Sequence, residues 1–233
     1  MDSSARSLSV PVADGAVPIV VSGPEAAPEL PGLVVVPSIF GGAPDLLDQI
    51  ASVSDLAVTA VMDPFWREGG GALDYRTGRE AAFERMGRLD RAKAWDDVAA
   101  VVGWMRQRTN GRIAGLGICF GGPFVLAGAA EGQLAGVITW HGSRMENVLD
   151  RVAAAGPMTA PVRMHFGSAD PITPPEAIDA ISTALDGHPD CEIVVHPGLD
   201  HGFSHAGDAW DADAAAAGVA SARDVLSLLG RVS

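Results

Sequence analysis

The chain has 233 residues, of which 48% are hydrophobic, and carries a formal net charge of −13. This length and apolar content suit one α/β-sized domain over residues 1–233. The acidic balance excludes a nucleic-acid or anionic-membrane surface as the working face. The amino end, MDSSARSLSVPVADG, has no apolar signal core, no apolar run approaches a membrane span, and Cys119 and Cys191 are the two cysteines. These features predict a cytoplasmic protein with reduced thiols.

Two β-type runs, 8–12 and 17–21, flank Ala13-Asp14-Gly15-Ala16 and predict an opening hairpin. A Gly/Pro/Glu stretch occupies 22–31. Apolar strands are then predicted at 33–37, 57–62, 113–118, 136–140, 162–166 and 192–196. Helices are predicted at 44–53, 89–107, 122–130, 146–155, 175–185 and 211–229. Trp104 and Met105 fit a helix core face. Continuous apolar strands alternating with helices imply a mostly parallel sheet covered on both faces. Ligands bind beyond the carboxyl ends of such strands. The connection 63–88 contains Gly69-Gly70-Gly71, and its length predicts a lid or substrate loop. Late acidic residues, Asp200, Asp208, Asp211 and Asp213, read as a solvated face.

The segment 112–131, RIAGLGICFGGPFVLAGAAE, is the most informative. An apolar strand ends in Gly117-Ile118-Cys119-Phe120-Gly121 and an apolar helix follows at once. This is the nucleophile-elbow pattern of the α/β-hydrolase fold, with cysteine where serine usually stands. The flanking glycines allow a sharp strand-to-helix turn. The helix N-terminus beneath Cys119 favours the thiolate. The plainer alternative is a Gly-rich turn holding an inert cysteine.

Residues just past two later strands complete a pattern. Asp170 lies in Gly167-Ser168-Ala169-Asp170-Pro171, and His201 in Leu199-Asp200-His201-Gly202-Phe203. A loop aspartate can orient an imidazole, and nucleophile, acid, histidine is the chain order of this fold's triads. The predicted triad is therefore Cys119, Asp170 and His201. An oxyanion hole needs two convergent N–H groups, expected from Phe120 and from Ile39 in Pro37-Ser38-Ile39-Phe40-Gly41-Gly42. His141 follows a strand end and reads equally as a pocket residue or as a packed, hydrogen-bonded histidine, and His205, four residues after His201, is a candidate pocket residue. His165 and His196 read as structural, and His188 as a turn residue. The histidines lack metal-ligand spacing, so neither a metal nor another cofactor is expected. Cys191 reads as an inert small hydrophobe.

Over nearly its whole length the chain resembles the dienelactone hydrolase family of carboxymethylenebutenolidases. The likeness is carried by Ser38-Ile39-Phe40-Gly41, Met62-Asp63-Pro64-Phe65, Gly117-Ile118-Cys119-Phe120-Gly121-Gly122, Gly167 to Asp170, and His201-Gly202-Phe203. The resemblance implies that Cys119 attacks an ester or lactone carbonyl, that His201 and Asp170 manage the protons, and that water cleaves a thioester intermediate. It also implies a carboxylate-bearing lactone gripped by arginines, with Arg79 the candidate here. Two departures stand out. The family usually has a glutamate where Ser38 stands and an arginine where His205 stands. Losing both removes a charge pair together, so neither charge is left buried alone. The expectation is therefore a hydrolase of small esters, lactones or thioesters, monomeric or a small homo-oligomer, with Ser38, Arg79, His141 and His205 around the substrate. Rival readings are a non-catalytic small-molecule binding protein, a glutamine amidotransferase, or a DJ-1-like protein. Against the amidotransferase, His196-Pro197-Gly198 lacks the required glutamate; against the DJ-1-like reading, Ser38 offers no acidic partner.

Overall fold

A computed structural model describes residues 5–24 and 26–231. The acidic amino end (1–4), residue 25 and residues 232–233 lie outside the described residues. The opening hairpin is longer than the sequence suggests: β1 (Arg6–Val12) and β2 (Gly15–Ser22) pair antiparallel around Ala13 and Asp14. Six further strands follow among the described residues: β3 (Gly32–Val36), β4 (Val58–Met62), β5 (Ile113–Ile118), β6 (Gly136–Trp140), β7 (Val162–Gly167) and β8 (Cys191–His196). They form one eight-stranded sheet in the order β1-β2-β4-β3-β5-β6-β7-β8. From β4 to β8 every neighbouring pair is parallel. Strands β3 to β7 are buried throughout, which explains the mostly apolar sequences of β3 to β6; β7 also buries Arg163 and His165. β8 is a sheet edge, half-exposed, and Cys191 is its first residue rather than a residue before it.

Among the described residues, seven α-helices cover the sheet. On one face, α1 (Pro44–Ala51) and α7 (Ala212–Gly230) supply Leu46, Ile50, Val225, Leu226 and Leu229 to the packing. The other face is covered by α2 (Arg79–Arg88), α3 (Arg91–Arg106), α4 (Gly122–Ala130), α5 (Leu149–Ala155) and α6 (Pro175–Ala184). Local chemistry sets several starts. Asp90 caps α3 by accepting from the N–H groups of Ala92 and Lys93, and Asp211 caps α7 by accepting from Ala214 N–H. Proline stands in the first turn of α1, α4 and α6. Met105 packs into the core, while Trp104 stays partly exposed beneath the Arg108 guanidinium, 3.9 Å from its ring.

Residues 63–88, expected as a lid or substrate loop, hold regular structure of their own. They form a 3₁₀ turn (Trp66–Glu68) and α2. The sequence of α2, REAAFERMGR, hides the helix because its buried face is only Ala82 and Arg85. Gly69, Gly70 and Gly71 all adopt positive φ, yet the segment is pinned. Gly71 N–H donates to Asp63 Oδ2 at 2.7 Å, and Gly70 N–H to Phe65 C=O at 2.9 Å. Nearby, Arg67 bridges the hairpin turn to α3 through Asp14 and the buried Asp97, each at 2.6 Å.

Two glycines draw the strand ends together. A Cβ on Gly121 would stand 1.9 Å from the carbonyl oxygen of Val36, and one on Gly167 only 2.2 Å from that of Leu199. The first contact presses the elbow against β3. The second presses the loop after β7 against the loop after β8. Gly121→Ala is expected to lower stability by about 3 kcal/mol, the upper range for overpacking. Gly103→Ala, in α3 with nothing within 4 Å of the new methyl, should raise it by about 0.5–1 kcal/mol. Urea unfolding midpoints check both.

Candidate active site

The elbow forms where β5 ends. Cys119 has φ 50°, a strained value for a residue with a side chain, and opens a 3₁₀ turn (Cys119–Gly121) that leads directly into α4. The strain is held because Ser143 N–H donates to Cys119 C=O at 2.9 Å. The thiol is partly buried, with Sγ 3.7 Å from Ser143 Oγ.

Asp170, its side chain fully shielded, lies after β7, and His201 lies after β8. His201 Nδ1 and Asp170 Oδ2 are 2.7 Å apart. The other carboxylate oxygen accepts from the N–H groups of Ile172 (2.7 Å) and Thr173 (3.1 Å), which fixes the rotamer. His201 Nε2 has no hydrogen-bond partner among the described residues, and donor atoms of Cys119, His141 and His201 lie within 4.8 Å of one another. At that spacing the imidazole acts on the sulfur through charge.

The electrostatics follow from burial and partners. For Cys119, burial alone would raise the thiol, but His201, Ser143 and the Phe120 N–H together hold it below its ordinary value. For His201, burial is again opposed; Asp170 and Cys119 push it up to about 10. Asp170 stays low because His201 and its two N–H donors outweigh its burial. His141 and His205 move the other way. Burial and the nearby His201 depress His141 strongly and bring His205 down to about 4. Of the three imidazoles, the charged form is favoured at His201 and disfavoured at its two neighbours.

A cleft of about 780 Å³ opens over Cys119, lined by Ser38, Phe40, Arg79, His201 and His205 among others. Arg79, exposed at the start of α2, stands at the mouth with its guanidinium 5.6 Å from the Phe83 ring. Ser38 is buried and accepts weakly from Phe40 N–H at 3.3 Å. His205 is clamped by a stacked Tyr75 ring, centroids 4.7 Å apart. His141 takes the packed, hydrogen-bonded place that the sequence also allowed, and the cleft lining does not include it. It is fully buried behind the cleft, φ 39°, with Nε2 2.8 Å from Ser204 Oγ and its ring against those of His201 and His205. His165 and His196 pair with each other at 3.0 Å, consistent with structural roles. His188 accepts from Asp190 N–H in its turn.

Arg85 escaped the sequence reading. It is 3% exposed on α2. Its Nε and Nη2 donate to Ile39 C=O at 2.9 and 2.6 Å, and its Nη1 donates to the carbonyls of Gly71 and Gly70 at 2.9 and 3.3 Å. One guanidinium thus ties the loop after β3 to the triple-glycine segment. Its signal is an arginine three residues after Ala82, on the face that must be buried if 79–88 is helical. Ser143 and Tyr75 were also missed, since neither sits in a motif. Among the described residues, the N–H groups of Ile39 and Phe120 donate to no backbone oxygen in a turn or loop.

A sheet with this strand order, a strained elbow at the end of β5, and an acid and a histidine after β7 and β8 define an α/β-hydrolase. The fold is shared with solved structures. A protein of Klebsiella pneumoniae provisionally named dienelactone hydrolase superposes with a TM-score of 0.78 at 22% identity, covering 96% of this chain and 98% of its own. A dienelactone hydrolase-like promiscuous phosphotriesterase from metagenomic libraries gives 0.72 at 22% identity, covering 97% and 98%. By sequence, a protein of Azospirillum brasilense provisionally named carboxymethylenebutenolidase is 30% identical over 210 residues, 87% of this chain and 89% of the relative. The carboxymethylenebutenolidase of Pseudomonas putida is 25% identical over 190 residues, 79% of each. The profile of the dienelactone hydrolase family matches residues 17–233, and the chain belongs to that family. It is a hydrolase of the dienelactone hydrolase type. No helix among the described residues is long and apolar enough to cross a membrane.

Removing Arg85 tests its bridging directly. Arg85→Ala leaves three loop carbonyls without their donor and should lower stability by about 2–3 kcal/mol. Arg85→Lys, which keeps the charge but not the fork, should lie between the two. Thermal unfolding of the three proteins compares them.

Proposed function

We propose that the protein hydrolyses small esters, lactones or thioesters with Cys119 as nucleophile, through a thioester acyl-enzyme. The observation that carries this reading is the 2.7 Å contact between Asp170 and His201, with Cys119 Sγ within 4.8 Å of the imidazole's donor atom. In this reading Asp170 keeps the proton on His201 Nδ1 and steadies the imidazolium. The Cys119 thiolate adds to the substrate carbonyl, forming the S–C bond. The oxyanion is met by the N–H groups of Ile39 and Phe120. The C–O bond to the leaving group breaks, and the leaving oxygen takes the proton from His201 Nε2. Water then gives a proton to Nε2 and adds to the thioester, and the thiolate leaves. Arg85 has a positioning part: by holding Ile39 C=O it fixes the Ile39–Phe40 peptide plane, next to the plane that carries the Ile39 N–H.

The substrate shell distinguishes this chain. Ser38 and His205 are neutral at neutral pH, so thiol activation falls to His201, and substrate charge is left to arginines at the cleft mouth such as Arg79. Both cysteines are free, which suits action in a reducing cytosol.

Short-chain chromogenic esters test the activity. Cys119→Ala and His201→Ala should each lose at least about a thousandfold in kcat/KM. Equal turnover in the wild type and both variants would leave a small-molecule binding protein on a hydrolase scaffold.

Alkylation tests the ionisation. The thiolate of Cys119 is held by an imidazolium whose pKa is raised to about 10, whereas burial raises the Cys191 thiol. Iodoacetamide should therefore label Cys119 well before Cys191 at pH 7, with the difference shrinking at alkaline pH as Cys191 ionises. Peptide mass spectrometry reads both rates. Equal labelling at pH 7 contradicts the ion pair.

A further inference from the structure

Among the described residues, His141 is a buried titratable group at the site that the hydrolytic cycle leaves without a role. It is fully buried, and its Nδ1 has no hydrogen-bond partner there. A buried polar atom left unpaired is costly, so such an atom calls for an explanation. A second unpaired nitrogen, His201 Nε2, and the sulfur of Cys119 complete the group. Donor atoms from the three side chains lie within 4.8 Å of one another.

We propose that Cys119, His141 and His201 form a three-donor site for a thiophilic divalent cation, Zn²⁺ above all, and that its occupation reversibly switches the hydrolase off.

The donor set selects the metal class. One thiolate and two imidazoles suit zinc, and the three side chains offer no carboxylate to calcium or magnesium. Each imidazole is already oriented through its other nitrogen. Asp170 Oδ2 lies 2.7 Å from His201 Nδ1, and Ser204 Oγ lies 2.8 Å from His141 Nε2. This is the outer-shell arrangement that fixes the tautomer and aims the remaining lone pair at an ion. Three protein ligands leave the fourth tetrahedral position for water, which the cleft over Cys119 can supply. Zn–S and Zn–N bond lengths imply donor spacings of roughly 3.3–3.6 Å. The three atoms must therefore draw in by about an ångström, within reach of side-chain rotation.

Sequence spacing hides this site. The ligands lie 22 and 60 residues apart, on three loops that the parallel sheet brings to one edge. Coordination would occupy the sulfur lone pair and the Nε2 lone pair together. Inhibition therefore rests on the hydrolytic reading above, whereas metal binding does not.

Cobalt(II) serves as the spectroscopic probe. Protein freed of metal with EDTA and titrated with Co²⁺ should show one equivalent of a thiolate-to-cobalt charge-transfer band with tetrahedral d–d intensity. Added Zn²⁺ should bleach it. Cys119→Ser should abolish the band and Cys191→Ser should leave it. His141→Ala and the bulkier His141→Gln should each weaken Co²⁺ binding at least about tenfold, since losing a ligand exceeds the effect of losing an outer-shell partner. In the wild type, micromolar Zn²⁺ should block both ester hydrolysis and iodoacetamide labelling of Cys119, with EDTA restoring both. Absence of the band, or equal Co²⁺ affinity in wild type and both His141 variants, overturns the site. A band that forms while Cys119→Ala still hydrolyses esters overturns the hydrolytic reading and leaves the metal site standing.

Discussion

The structure depends on the close approach of two backbones at the end of β5. Gly121 lies so near Val36 that no side chain fits between them. That contact forces the chain to turn from strand to helix within one residue, and Cys119 absorbs the turn at φ 50°. A sulfur placed in this way sits at the sheet's carboxyl edge, partly buried where the two apolar layers meet. A second backbone contact, between Gly167 and Leu199, fixes the loops that carry Asp170 and His201 relative to each other. The alignment of the proposed triad is thus set by main-chain packing. Side-chain hydrogen bonds then refine it.

Charge at the site follows from the same packing. Asp170 is shielded from solvent but well supplied with donors, so it remains a carboxylate and holds a proton on its partner. His141 and His205 sit too deep and too near that proton to take one themselves. Among the three packed imidazoles, the surroundings favour the charged form at His201 and disfavour it at the other two. In the positions where the family commonly keeps a glutamate and an arginine, the chain has a buried serine and a histidine stacked on Tyr75. The two replacements leave no unpaired ion at those positions of the cleft wall. A guanidinium reappears nearby in a different role, where Arg85 holds together the loop after β3 and the triple glycine.

Much of this architecture was legible from residue patterns. Strands β3 to β6 are mostly apolar runs because both of their faces are covered, and β5, β6 and α4 have the expected bounds. The elbow was legible because its glycines answer a local steric demand. Helix α2 was not, since its buried face includes a charged residue whose burial makes sense only beside the carbonyls it serves. The triple glycine likewise reads as slack until Asp63 and Arg85 are seen to pin it. His141 reads equally as a pocket residue or a packed histidine until its positive φ and its bond to Ser204 turn it behind the cleft.

The sequence by itself determined the periodicity, the sharp turn at Cys119 and the chain order of nucleophile, acid and histidine. These are local properties, written in side-chain shape and in where glycine is required. Tertiary structure alone decided which groups from separate strand ends meet, which of five neighbouring ionisable groups hold charge, and which loops are rigid. Those outcomes depend on through-space distance and on exclusion of water, and neither quantity exists until the sheet has assembled.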